Sequence, residues 1–179
     1  MHQDPPNFVV TERLCGITNK FQDNEKALIM VVMRNPVVRV VHEYITLFNE
    51  KKTSAKTVNR YIKSKLFVDN RMTRLLICKP VGIIEEKDFE TAKFILTNMS
   101  VMSMYQDYTN SFKQYREAFA WKDNKSESSQ CVKNEFLKSA SFTDQDLSNR
   151  LTEKDVVQNV REQNEFDMKL YLYALGLNM

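Results

Sequence analysis

Residues 27–44 read Ala27-Leu28-Ile29-Met30-Val31-Val32-Met33-Arg34-Asn35-Pro36-Val37-Val38-Arg39-Val40-Val41-His42-Glu43-Tyr44, and the order of apolar and polar positions in them decides the fold class. The first seven form an unbroken apolar run with β-branched members. Its length and content suggest a strand buried on both faces, the habit of parallel sheets. The run stops at Arg34-Asn35-Pro36, where Pro36 suits a helix start because its missing N–H would lack a partner there anyway. Val37, Val40, Val41, Tyr44, Leu47 and Phe48 then recur at helical spacing. Strand, tight turn and helix make half of a βαβ unit.

The flanking sequence extends this pattern. Residues 1–27 are polar and loop-like, with a short apolar piece at Phe8–Val10. A helix is expected within Ala55–Phe67, with Val58, Ile62 and Leu66 inward and the bases outward. Another is expected over Asn70–Lys79, stopped by Pro80-Val81-Gly82. Phe89, Ala92, Leu96 and Met99 mark a helix preceded by acids suited to its N-terminus, and Ser100–Met104 reads as a short strand. Tyr108, Phe112, Tyr115 and Phe119 fall on one helical stripe, which is expected to face the core. Residues 122–150 read as a flexible loop region with one short strand at Cys131–Leu137. Thr152 and Asp155 signal an N-cap for a final helix. That helix is expected to run to about Leu175, with Val157, Val160, Asn164, Met168, Tyr171 and Leu175 on one face and Gly176 just past its end. The fold class is α/β, helix-rich with few strands, and residues 1–179 are enough for a single domain.

Composition narrows the function classes. Hydrophobic residues make up 42% and charged residues 27%, with 3 Gly and 4 Pro, so disordered and collagen-like classes are excluded. No apolar run reaches the ~18 residues of a membrane span. The opening Met1-His2-Gln3-Asp4-Pro5-Pro6-Asn7 has neither the basic nor the apolar region of a signal peptide. The net charge of +3 is uneven: residues 51–79 carry nine Lys/Arg against Asp69 alone. Such a local field points to an anionic partner, with a solvated helix face as the competing reading. Cys15, Cys78 and Cys131 are too scattered for a disulfide framework, although one pair could bridge in an oxidising compartment. With no CxxC and only His2 and His42, no zinc site is expected. Glycine-rich phosphate loops, GxSxG elbows and HExxH helices are absent from the sequence. What remains is Arg34, at a strand's carboxyl end and before a helix N-terminus. Ligands of open α/β sheets collect in that place, and an arginine fork and a helix dipole both favour an anion there.

The segment Val31–Tyr44 resembles the strand–helix motif of Golgi carbohydrate sulfotransferases, L-R-D-P-V-x-R-x-x-S-x-Y/W. Asn70-Arg71-Met72-Thr73-Arg74-Leu75-Leu76 is similar to that family's N-R-x-x-R-M-L. Asn164-Glu165-Phe166-Asp167-Met168-Lys169-Leu170-Tyr171-Leu172-Tyr173-Ala174 is similar to its closing N-D-L-D-M-Q-L-Y-D-Y-A. The blocks resemble those of the heparan sulfate 6-O-sulfotransferase group and stand in the family's order across roughly residues 28–174. The course of Ala92–Trp121 also follows the family's helix, strand and amphipathic helix.

The resemblance implies a partial parallel sheet of the P-loop-like sulfotransferase fold. It implies transfer of a sulfuryl group from 3′-phosphoadenosine 5′-phosphosulfate to a hydroxyl of an acidic glycan, without a metal, in the Golgi lumen or at its membrane. Arg34 matches the arginine that holds the donor's 3′-phosphate, while His42 stands where the family has Ser and Asn35 where it has Asp. Residues 1–27 supply no counterpart of the family's 5′-phosphosulfate loop, so the chain is expected to match the C-terminal two-thirds of such a domain. His2 corresponds to the family's general base in an H-x-D segment, work that suits histidine near neutral pH. Lys56, Arg60, Lys63, Arg71 and Arg74 would line the glycan side. The alternative is a non-catalytic module of the same fold that binds an anionic glycan or another polyanion. A nucleic-acid-binding role is disfavoured, since only Tyr61 and Phe67 interleave with the bases.

Overall fold

The computed structural model describes residues 29–98, 100–118 and 144–177. Strand β1 is Ile29–Met33 and helix α1 is Pro36–Asn49. Between them the Asn35 side-chain oxygen accepts hydrogen bonds from the Val37 N–H at 2.9 Å and the Val38 N–H at 3.4 Å, so the strand ends on a residue that starts the helix. The chain continues through α2 (Val58–Tyr61), α3 (Arg71–Ile77) and α4 (Glu86–Asn98) to strand β2 (Ser100–Met104). It then forms α5 (Tyr108–Ala118), α6 (Asp144–Leu151), α7 (Val156–Gln163) and α8 (Glu165–Leu177). β1 and β2 pair in parallel, Ile29 opposite Ser100 and Met33 opposite Met104. The described residues are thus a helix-rich arrangement around a two-stranded parallel sheet, as the α/β reading of the sequence expects.

Two apolar cores hold the elements together. In the first, Val37, Val40, Val41, Tyr44 and Ile45 of α1 pack on Val58, Tyr61 and Ile62 around α2 and on Val156 and Val160 of α7. In the second, Val31, Met33 and Met104 of the sheet meet Leu76 of α3, Phe89, Ala92 and Leu96 of α4, and Leu170, Tyr171 and Ala174 of α8. β1 therefore buries Val31 and Met33, while Ile29, Met30 and Val32 are only partly covered. Tyr115 of α5 is buried, and its hydroxyl donates to the Val31 carbonyl oxygen at 3.2 Å and contacts the Ser103 hydroxyl. The other members of its aromatic stripe, the side chains of Tyr108 and Phe112 and all of Phe119, lie outside the described residues, as do Met99 and the strand expected at Cys131–Leu137.

Several boundaries differ from expectation. The helix expected over Ala55–Phe67 shrinks to α2, four residues long, because the chain then closes tight turns from Ser64 N–H to Tyr61 O and from Phe67 N–H to Ser64 O. Val58 and Ile62 are buried as expected, whereas Leu66 is exposed. The single final helix is two, broken at Asn164, whose φ of −127° is not helical. Thr152 caps nothing and instead donates to the Asn149 carbonyl at the end of α6. Asp155 precedes α7 in the left-handed region without a side-chain cap bond. Gly176 lies inside α8, and α6 occupies the end of the stretch expected as loop. Cys78, left-handed at the end of α3, is disulfide-bonded.

Candidate functional site

Parallel register places the carboxyl ends of β1 and β2 side by side, so Arg34 and Tyr105 leave the sheet as neighbours. The Tyr105 N–H donates to the Met33 carbonyl oxygen at 2.8 Å, and the Arg34 guanidinium carbon lies 4.5 Å from the Tyr105 ring centroid, within cation–π range. Arg34 Nε is buried and lacks a hydrogen-bond partner. Among the described residues Arg34 has no carboxylate within ion-pair distance. Burial pushes its pKa down, Arg39 adds to that, and Tyr105 opposes it. A desolvated guanidinium with an unpaired donor is suited to an incoming anion, which would restore both the charge balance and the missing hydrogen bond.

His42, two turns along α1, is close enough for Arg34 to act on it. Burial first, and the Arg34 charge second, hold its imidazole below the ordinary value. The helix N-terminus, in contrast, offers no free donor. Pro36 has no N–H, Asn35 takes the N–H groups of Val37 and Val38, and the Arg39 N–H bonds the Asn35 carbonyl at 2.9 Å. An anion here relies on side chains.

The other two sequence blocks meet in a reciprocal cap. The Asp167 carboxylate, at the start of α8, accepts from the N–H groups of Met72 at 3.0 Å and Thr73 at 2.8 Å, and from the Thr73 hydroxyl at 2.8 Å. In return the Asn70 side-chain oxygen, at the start of α3, accepts from the N–H groups of Phe166 at 2.9 Å and Asp167 at 3.1 Å. Each helix thus supplies the cap for the other's first turn. Asn164 accepts from the Asn70 N–H and from Arg39, both at 3.1 Å, which explains why the chain breaks there. Arg39 also reaches Asp167 and Glu43, and Arg71 pairs with Glu43 at 3.0 Å. Asn70, Thr73, Asn164 and Asp167 are all buried. Charges this well partnered stabilise the fold and leave little for a ligand.

The sequence-predicted site residues therefore separate. Arg34 and His42 share the strand end. Lys56, Arg60 and Lys63 are exposed and form no ion pair among the described residues. Arg71 is tied to Glu43, while Arg74 is buried and bonded to Asp69, to the Lys79 carbonyl and to the Gly82 carbonyl. His2 lies outside the described residues. Tyr105 is the participant that the sequence reading missed; its signal was its place one residue beyond β2, opposite Arg34 in the register. Lys154 is a second addition, since Asn59 Nδ2 donates to its carbonyl and brings it beside the basic segment. No group of three His, Cys, Asp or Glu that could hold a metal ion occurs among the described residues, and no helix of theirs is long and apolar enough to cross a membrane.

No protein-family model, curated protein or solved structure matches this chain.

Proposed function

We propose that the chain is a sulfotransferase-like protein whose strand end holds the 3′-phosphate of 3′-phosphoadenosine 5′-phosphosulfate, with a hydroxyl of an acidic glycan as the acceptor class and the Golgi as its compartment. The observation that supports this reading is Arg34: a cation at the carboxyl end of a parallel strand, partly buried, with Nε unpartnered and no carboxylate beside it among the described residues. Those features fit a dianionic phosphate. Tyr105 holds the guanidinium from one side, and His42 adds a second donor when protonated. The nucleotide, when bound, supplies the sulfuryl group; the residues of this chain hold and orient its 3′ end. The exposed Lys56, Arg60 and Lys63 offer the acidic glycan a salt-sensitive surface.

A second reading, a non-catalytic module that binds an anionic glycan, is favoured by the first turn of α1, whose amides are all spent within the chain. Titration calorimetry with adenosine 3′,5′-bisphosphate separates the two, together with assay of labelled sulfate transfer to heparan-type chains. Bisphosphate binding that Arg34→Ala abolishes supports the nucleotide site. Retention on heparin without any nucleotide binding supports the module.

A further inference from the structure

Two loops on either side of α3 carry aliphatic side chains into solvent. Val81 and Ile83, which flank Gly82, are 77% and 82% exposed, and Leu66 and Val68 are exposed just before Asp69. Arg74 ties the two loops together. Its Nη2 donates to both Asp69 carboxylate oxygens and to the Gly82 carbonyl, each at 2.9 Å, while Nε bonds the Asp69 carbonyl at 2.9 Å and Nη1 the Lys79 carbonyl at 3.2 Å. Gly82 sets the turn with a φ of +89°, a conformation that side chains rarely adopt. The display is therefore built, since a buried arginine is spent on holding it.

Charge around the loops is one-sided. Lys63 and Lys65 are exposed and form no ion pair among the described residues. The neighbouring acids already have partners: Asp69 has Arg74, Asp88 has Lys79 at 2.7 Å, Glu85 has Lys87 at 2.6 Å, and Glu86 has Lys169 at 3.4 Å.

We propose that these loops dock on an anionic lipid bilayer, with Val81, Ile83, Leu66 and Val68 entering the interface and Lys63 and Lys65 meeting the headgroups. Four aliphatic side chains of about 60–120 Å² each, roughly 240–480 Å² together, fall well short of the ~800 Å² per partner that a stable protein interface needs. Interfacial insertion needs only such a small apolar set beside basic residues. The proposal does not depend on the sulfotransferase reading.

Co-sedimentation of the full chain with phosphatidylcholine vesicles, with and without about 30% phosphatidylserine, tests it. Binding to the anionic vesicles is expected, weakened by salt. Val81→Ser/Ile83→Ser should lower it about tenfold or more while leaving heparin-column elution unchanged, because no charge is altered. Lys63→Ala/Lys65→Ala should lower it by about fivefold for each lysine. Circular dichroism should show all variants folded, given the exposure of these residues. Failure of the natural chain to bind anionic vesicles would overturn the proposal, as would unchanged binding by the Ser pair. So would a concentration-dependent dimer that the Ser pair abolishes, which would give the loops to a second copy of the chain.

Discussion

Arginine stands near helix N-termini in two regions of this molecule, with opposite outcomes. Where α3 meets α8, Arg39 reaches Asn164, Asp167 and Glu43, Arg71 joins Glu43, and the first-turn amides of both helices are capped across the junction. At the end of β1, Arg34 has an aromatic ring beneath it and an Nε without a partner. The first region is closed chemistry and the second is open. Residue type does not distinguish them; satisfaction does. A partly buried cation with no ion-pair partner among the described residues costs stability, and a ligand that completes it recovers that cost.

The comparison predicts where substitutions will hurt. Asp167→Ala should have the largest effect, a loss of about 3–5 kcal/mol, because it leaves the Met72 N–H, the Thr73 N–H and the Thr73 hydroxyl without their acceptor and takes from Arg39 one of its two carboxylates. Urea unfolding measures it, and a loss below about 1 kcal/mol would mean that the junction is not the structural hub described. Asn70→Ala should cost roughly 2 kcal/mol, as it removes the α8 cap and puts alanine at a φ of 45°. Asn70→Gly should recover about half of that, since glycine tolerates the left-handed backbone. Equal losses for the two would show that backbone conformation contributes nothing there.

Asn35→Ala sharpens the contrast from the other side. It should cost about 1 kcal/mol as a lost cap and also free the Val37 and Val38 amides for a ligand. Bisphosphate affinity should then rise about two- to fivefold, so calorimetry showing weaker binding would mean that Asn35 itself holds the anion. The smallest effect is a pH dependence at His42. Burial and Arg34 keep its folded pKa below the unfolded value, so the unfolded chain takes up the proton first as pH falls. Stability should be level above about pH 6.5, the unperturbed histidine value, and decline as pH drops from there toward the depressed value. A bound anion reverses the preference, so bisphosphate affinity should increase from pH 8 toward pH 6 in the natural chain and less so in His42→Ser. Identical pH profiles would remove His42 from the site.

How far these features can be read from sequence depends on the distance over which they act. The β1–Pro36–α1 unit is legible because its determinants are contiguous: an apolar run, a capping Asn35 and a proline at the first helical position. The Ser100–Met104 strand is legible for the same reason. The break at Asn164 is not, because apolar spacing continues through it and its cause is the Asn70 N–H, 94 residues away. Charge counting over residues 51–79 fails in the same manner. It treats Arg74 like Lys63, although Arg74 is consumed by Asp69, Lys79 and Gly82 while Lys63 stays in solvent. Tyr105 is legible only once the strand register is known, because the register alone puts it beside Arg34.

The central claim is that Arg34 serves a ligand and the α3–α8 junction serves the fold. Titration of adenosine 3′,5′-bisphosphate into the natural chain and Arg34→Ala, with a melting curve of each, tests it most directly. The account predicts a measurable heat of binding for the natural chain and none for Arg34→Ala, with the variant melting at or slightly above the natural temperature. Undiminished binding by Arg34→Ala, or a melting temperature depressed as far as that of Asp167→Ala, would contradict it.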